Sequence, residues 1–251
     1  IVVAPPAEHM VYDPPAAYRG LWSSQDAIEG MDLFDECIRY ADANFQRVID
    51  KLAALGLDKN TLVIFMADHG EGFGEHEDKY GHYGKPYNEL THIPLIMRMP
   101  GVVPDGRVMK ENVGIVDVAP TILDVLGLAV PEQFQGMSLV ALMNGSSHAA
   151  RAVCSTWCGS SSIVKGDWKL FRDVGGTRML FNLANDSSES CDVAAAHPEV
   201  AAELDRLLST YIEQQRQKGE RAKSQNQDAT HAIDPAAQQA LESLGYLPSE
   251  P

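Results

Sequence analysis

The chain has 251 residues, enough for one large domain or one domain with a small appendage. Its 20 Lys and Arg stand against 35 Asp and Glu, a formal net charge of −15. That excludes nonspecific nucleic-acid binding, which needs a basic surface. No apolar run approaches the roughly 20 residues of a membrane-spanning helix, and an anionic substrate would have to be held by local charge or by a metal.

Ile1-Val2-Val3 reads as the end of a strand, followed by a proline-rich, extended loop from Ala4 to Tyr18. His9 is the one group in that loop suited to proton transfer near neutral pH. On local evidence it reads as a surface histidine. From Asp26 to Leu55, Ile28, Met31, Phe34, Ile38, Ala41, Phe45, Val48, Leu52 and Leu55 recur at three- and four-residue steps. This is the stripe of a long amphipathic helix, with Gly56 placed for a left-handed cap. Asp32, Asp35, Glu36 and Asp42 read as its solvated face.

Two apolar runs follow, Leu62 to Ala67 and Ile93 to Met97, with a loop rich in His, Glu, Asp, Lys and Tyr between them. Short runs of this kind are expected as strands buried on both faces, as in a parallel sheet. Asp68 and His69 fall at the carboxyl end of the first, where open α/β sheets place their ligands. Aspartate offers a hard oxygen and histidine a borderline nitrogen to a metal, and Gly70 permits close backbone approach. The plainer alternative is that His69 caps the turn and Asp68 bonds backbone. In the loop, Lys85 could hold an anionic ester oxygen and His82 could protonate a leaving group. Glu75, His76, Glu77 and Asp78 read as a solvated loop face, and His92 as a structural histidine.

Val113 to Val118 is expected as a short strand and Ala119 to Leu126 as a helix, with Pro120 in its first turn and Gly127 closing it. Gln135 to Gly145 reads as a further helical turn. Four β-type runs follow, Ala152–Thr156, Ser162–Val164, Trp168–Arg172 and Met179–Asn182, punctuated by glycines. They predict an antiparallel meander with a hairpin at Gly175-Gly176. A helix is expected from Pro198 to Gln215, then a polar linker, then a last short helix from Pro235 to Leu244. Cys37, Cys154, Cys158 and Cys191 show no zinc-type pairing; one disulfide or free thiols would both fit.

Taken together, these motifs resemble the C-terminal half of a sulfatase of the alkaline phosphatase superfamily. The resemblance rests on EHMVYDPPAAY, the helix running into GLDKNT, ADHGEGFGEH, HIPLIMRMPG, VDVAPTILDVLGL, QGMSL, KGDWKLF and LESLGYL, in this order. It implies an α/β fold, an alkaline-phosphatase-like sheet flanked by helices. A small C-terminal antiparallel sheet plus helix would follow. Residues 1–145 would belong to the catalytic domain, 146–215 to an α+β subdomain, and 216–251 to a linker and terminal helix. The resemblance further implies a hydrolase of sulfate monoesters that uses one divalent metal ion, usually calcium. Asp68 and His69 match metal ligands, His9 a histidine at the sulfate and leaving oxygen, and Lys85 a sulfate-binding lysine, with His82 beside it in that role.

Sulfatases take their nucleophile from a Cys or Ser in a Cys/Ser-x-Pro/Ala-x-Arg motif matured to formylglycine. None of the four cysteines has that context, and no serine is read as having it either. The expectation is therefore an N-terminally truncated chain whose nucleophile lies upstream, acting on a sulfated small molecule or glycan, with export the favoured compartment. Two alternatives stay open: a phosphodiesterase or phosphonate monoester hydrolase of the same superfamily, and an inactive fragment or binding module. Substrate and oligomeric state are not legible.

Overall fold

A computed structural model describes residues 12–21, 31–76, 80–81, 85–146, 151–157 and 159–225. His9, His82, Cys158 and the expected helix at Pro235–Leu244 lie outside the described residues. The chain groups into two compact units, one of residues 1–52, 73–81 and 216–251, the other of residues 53–72 and 82–215.

In the first unit the dominant element is helix α1 (Met31–Ala54). Its stripe is half-buried at Met31, Phe34, Phe45 and Leu52 and exposed at Ile38 and Val48. Phe34 meets Tyr12 and Phe73 at ring-centroid distances of 5.2 and 5.0 Å, an aromatic cluster of the kind that dominates burial in small cores. Glu36 corrects the sequence reading. It is 2% exposed, and its Oε1 accepts the Leu21 N–H at 2.9 Å. A carboxylate inside a helical stripe looks solvated until a distant backbone donor is brought to it.

In the second unit Gly56 takes φ +66°, as its capping place requires. Strand β1 (Val63–Met66) then follows. The short strands β2 (Gly72–Phe73) and β3 (Tyr80–Gly81), which apart from Gly72 belong to the first unit, pair with each other. Next come the single-turn helix α2 (Asn88–Thr91) and strand β4 (Leu95–Arg98). β1 and β4 pair antiparallel, Val63 with Arg98 and Met66 with Leu95. The expectation of strands buried on both faces is not met: the cross-strand partners Phe65 and Ile96 are 37% and 59% exposed. Leu62, Leu95, Met97 and Met99 instead pack on Val103, Leu139, Leu142 and Met143. An unbroken apolar run carries no alternation, so it cannot say which face is covered.

The expected strand at Val113–Val118 is a 3₁₀ turn, Ile115–Asp117, running into helix α3 (Val118–Val125). Asp117 is the reason. Its fully buried carboxylate accepts the Gly114 N–H and the Met137 N–H, each at 2.9 Å, and the forked guanidinium of Arg151. The Asp117 carbonyl also accepts the Thr121 hydroxyl at 2.6 Å, and Thr121 Oγ1 accepts the Leu139 N–H at 2.9 Å. Gly136 lies so close to Val116 that an added Cβ would fall 1.9 Å from its carbonyl oxygen. Side-chain acceptors that take backbone donors bend the chain away from an extended ladder. The sequence segments VDVAPT and QGMSL are thus two halves of one buried clasp, leading to helix α4 (Val140–Met143).

The meander forms as expected. Strands β5 (Ala152–Trp157), β6 (Ser160–Lys165), β7 (Trp168–Arg172) and β8 (Arg178–Asn182) make one antiparallel sheet in sequence order. Helix α5 (Pro198–Gln225) extends ten residues beyond the expected end at Gln215, through a polar stretch read as linker. Alternation assigns the faces. Ile163, Leu170 and Leu180 meet Leu204 and Leu208 of α5, whereas Phe171 and Phe181 turn the other way onto Tyr87, the residue before α2. Lys169 shares that second face.

Candidate active site

The Asp68-His69-Gly70 turn leaves the carboxyl end of β1. Asp68 has a side chain 75% exposed and His69 one 41% exposed. The Asp68 Oδ1 accepts the His69 N–H at 3.0 Å, which sets the carboxylate beside the imidazole. His69 Nδ1 lies 2.7 Å from the Gly70 carbonyl oxygen. A carbonyl only accepts, so the proton of the neutral ring belongs on Nδ1 and the lone pair on Nε2. A backbone acceptor on one ring nitrogen is the usual way a metal-binding histidine is oriented. Nε2 is 3.9 Å from Asp68 Oδ2. One ion could bridge that span at ordinary metal–nitrogen and metal–oxygen lengths of roughly 2.0–2.6 Å. The donor set therefore fits a hard or borderline divalent ion. It is a pair: among the described residues no group of three or more His, Cys, Asp and Glu is gathered that could hold a metal.

Two contacts hold the turn from behind. Gly70 N–H donates to the Leu90 carbonyl at 2.9 Å. Gly70 Cα also rests on the Glu89 carbonyl so closely that a Cβ would fall 1.9 Å from its oxygen. Gly70 is required here for approach, and both carbonyls belong to α2.

Lys85 lies just before α2. Its Nζ sits 5.5 Å from the centroid of the Phe171 ring, a cation–π placement. Its charge also reaches Asp173 in the β7–β8 hairpin. The Asp173 carboxyl is held below its ordinary value mainly by the Thr177 N–H, with Lys85 adding to the effect. His92 is exposed, and its backbone N–H closes α2 on the Asn88 carbonyl at 2.9 Å. Glu75 turns back on its own loop, accepting the Phe73 N–H at 2.6 Å.

The sequence reading passed over a buried ion pair behind α2. Lys169 and Glu189 have fully buried side chains, with Nζ 2.7 Å from Oε1. Lys169 Nζ also donates to Asn88 Oδ1 at 3.1 Å and Thr91 Oγ1 at 3.3 Å. Burial holds its pKa below the ordinary lysine value, against the pull of Glu189 and Glu89. The second oxygen of Glu189 accepts the Asn88 backbone N–H. Lys169 stands inside KGDWKLF, and a lysine alternating with apolar residues on a buried strand was the available signal.

The expectation that no serine has the nucleophile context is corrected by the sequence itself: Ser147-His148-Ala149-Ala150-Arg151 spells the bare letters of the motif. Ser147 to Ala150 lie outside the described residues. Arg151 is committed as a fork to buried Asp117, which makes it a structural arginine.

A family model for Sulfatase matches residues 1–128. The chain belongs to the sulfatase family. It is 32% identical over 188 residues to Arylsulfatase K of Canis lupus familiaris, covering 68% of this chain and 35% of that protein. The sulfatase chain thus spans about a third of the length of the curated relatives it matches. Among solved structures it is similar to a protein in complex with its substrate D-glucosamine-2-N,6-O-disulfate. That match has TM-score 0.63 and 25% identity, and covers 74% of this chain and 41% of the other. It is similar too to the phosphonate monoester hydrolase of Agrobacterium radiobacter, with TM-score 0.62 and 25% identity, covering 73% and 41%. The α/β sulfatase architecture read from the motifs is thereby established.

Proposed function

We propose that this chain is the metal-binding part of a sulfuric ester hydrolase acting on sulfated glycans. The observation that carries the reading is the Asp68–His69 pair, with Nδ1 turned to a backbone carbonyl and Nε2 3.9 Å from a carboxylate oxygen, in a chain of the sulfatase family. When bound, a divalent ion, calcium by family resemblance, would neutralise charge on the sulfuryl oxygens. Asp68 and His69 would hold it. Lys85 or His82 would attract the ester oxygens, and His9 would deliver a proton to the leaving alcohol. The nucleophile in this reading is a formylglycine supplied from outside these 251 residues. Support for a glycan substrate is the relative solved with a disulfated glucosamine.

The phosphonate monoester hydrolase likeness favours a second reading in which the same residues serve a phosphoryl group. The two separate in a direct assay of the protein that carries this chain, with a sulfated glucosamine and with a phosphonate monoester. Sulfate release that falls about a hundredfold or more in Asp68→Asn, the scale expected when transition-state charge loses its partner, supports the sulfatase reading. Phosphonate cleavage without sulfate release replaces it.

A further inference from the structure

The Asp68–His69 pair is exposed and sits on a three-residue turn, yet its geometry is narrow. The question is what keeps it so. Backward from His69, each contact leads to the next. His69 Nδ1 meets the Gly70 carbonyl at 2.7 Å, and Gly70 N–H meets the Leu90 carbonyl at 2.9 Å. Leu90 belongs to α2, a single turn too short to be stable by itself. On its far side α2 is gripped by Lys169 through Asn88 Oδ1 and Thr91 Oγ1, and by Glu189 through the Asn88 N–H. Thr91 Oγ1 in turn lies 3.0 Å from the Tyr87 carbonyl. Lys169 comes from β7, whose other face is packed on α5. The grip is thus mounted on the best-packed part of the unit.

The ion pair also has features that packing alone does not call for. A buried salt bridge is a weak source of stability, because desolvation consumes most of the attraction. Glu189 is held at φ +52°, among the described residues the one non-glycine in left-handed backbone. Such a conformation costs on the order of 1–3 kcal/mol and persists where surroundings over-determine it. Apolar residues would fill the same space without the desolvation cost.

We propose that Lys169 and Glu189 are positioning residues for the Asp68–His69 pair: by fixing α2 from the C-terminal sheet, they set the Gly70 turn and the ring nitrogen that His69 presents. The inference rests on the reading of that pair as the working site, and it assigns a role in the site to the C-terminal sheet. It predicts that the grip can be removed without unfolding the sheet, and that His69 will register the loss.

The test uses the 251-residue chain, metal-free, at a pH where the His69 ring is neutral. Long-range nitrogen–proton NMR of the imidazole reports which nitrogen carries the proton. Three proteins are compared: the parent, Lys169→Met/Glu189→Leu, which replaces the pair by apolar groups of similar reach, and Asn88→Ala/Thr91→Val, which removes both α2 side-chain acceptors of the Lys169 ammonium. The expected result is a single Nδ1–H pattern in the parent and a tautomer mixture in both variants, with circular dichroism of sheet and helix retained. Calcium affinity at the Asp68-dependent site should fall about tenfold or more, the usual effect of losing a residue that orients a ligand. A folded Lys169/Glu189 variant with the parent's His69 pattern overturns the proposal. Should the Lys169/Glu189 variant unfold, Asn88→Ala/Thr91→Val decides in the same way. Because the tautomer is read without metal, this outcome is separate from whether the pair binds calcium. A parent that binds calcium no better than Asp68→Asn sinks the site reading and leaves the tautomer comparison standing.

Discussion

Two aspartates, Asp68 and Asp117, stand beside a basic side chain in the same unit and have opposite fates. Asp117 is fully buried and accepts from two backbone N–H groups and both arms of Arg151. Its lone pairs are spent on the fold. Asp68 is three-quarters exposed, accepts the His69 N–H, and directs its second oxygen toward a ring nitrogen. A carboxylate saturated by donors builds structure, and one that faces solvent beside an oriented imidazole can do chemistry. The difference lies in where donors converge: a helix start, a glycine turn and a strand entry meet at Asp117, and one short turn surrounds Asp68.

Exchanging charge for shape at each aspartate should break the comparison in opposite ways. Asp117→Ala leaves the Arg151 guanidinium and two buried N–H groups without their acceptor. It should cost roughly 3–5 kcal/mol, the scale for removing one partner of a buried pair, seen as a lower midpoint in urea unfolding. Asp68→Asn should leave that midpoint within about 0.5 kcal/mol, as surface changes do, while activity collapses. An Asp117→Ala protein that melts like the parent would show the clasp to be ornamental.

Gly70→Ala sharpens the contrast from the other side. Its Cβ would meet the Glu89 oxygen at 1.9 Å, so the turn must move off α2. Calcium affinity and the His69 tautomer should change together, with a stability loss of roughly 1–3 kcal/mol, as overpacking gives. The corresponding change at Gly136, pressed on Val116 at the same 1.9 Å, should lower stability by a similar amount and leave the His69 tautomer untouched.

The smallest effect is expected at Cys154, on β5 beneath α5. Burial pushes its thiol up to about 11 from 9.0. Its folded value exceeds its unfolded one, so its contribution to stability is present below pH 9 and fades as pH rises through about 11. At pH 8 it should alkylate far more slowly in the folded chain than after denaturation, as mass spectrometry of iodoacetamide-treated protein would show. Equal rates would place Cys154 at the surface.

Much of the molecule can be read from residue order. The stripe in α1, the left-handed glycines at Gly56 and Gly127, the four-strand meander and the Asp68-His69-Gly70 turn all follow from local rules, because backbone geometry repeats over two to four residues. What resisted reading depends on partners far along the chain. β1 and β4 were expected to be covered on both faces, yet they pair with each other and leave Phe65 and Ile96 open. Glu36 was assigned to solvent and is buried on the Leu21 amide. Asp117 waits for Arg151, and Lys169 for Glu189 and Asn88. A buried charge looks like a solvated one until its counter-charge arrives, since the cost of burial is cancelled by donors and acceptors that sequence spacing does not reveal. Residue order was enough to set Asp68 and His69 side by side at the end of an apolar run; folding alone brought Lys169 and Glu189 together behind α2.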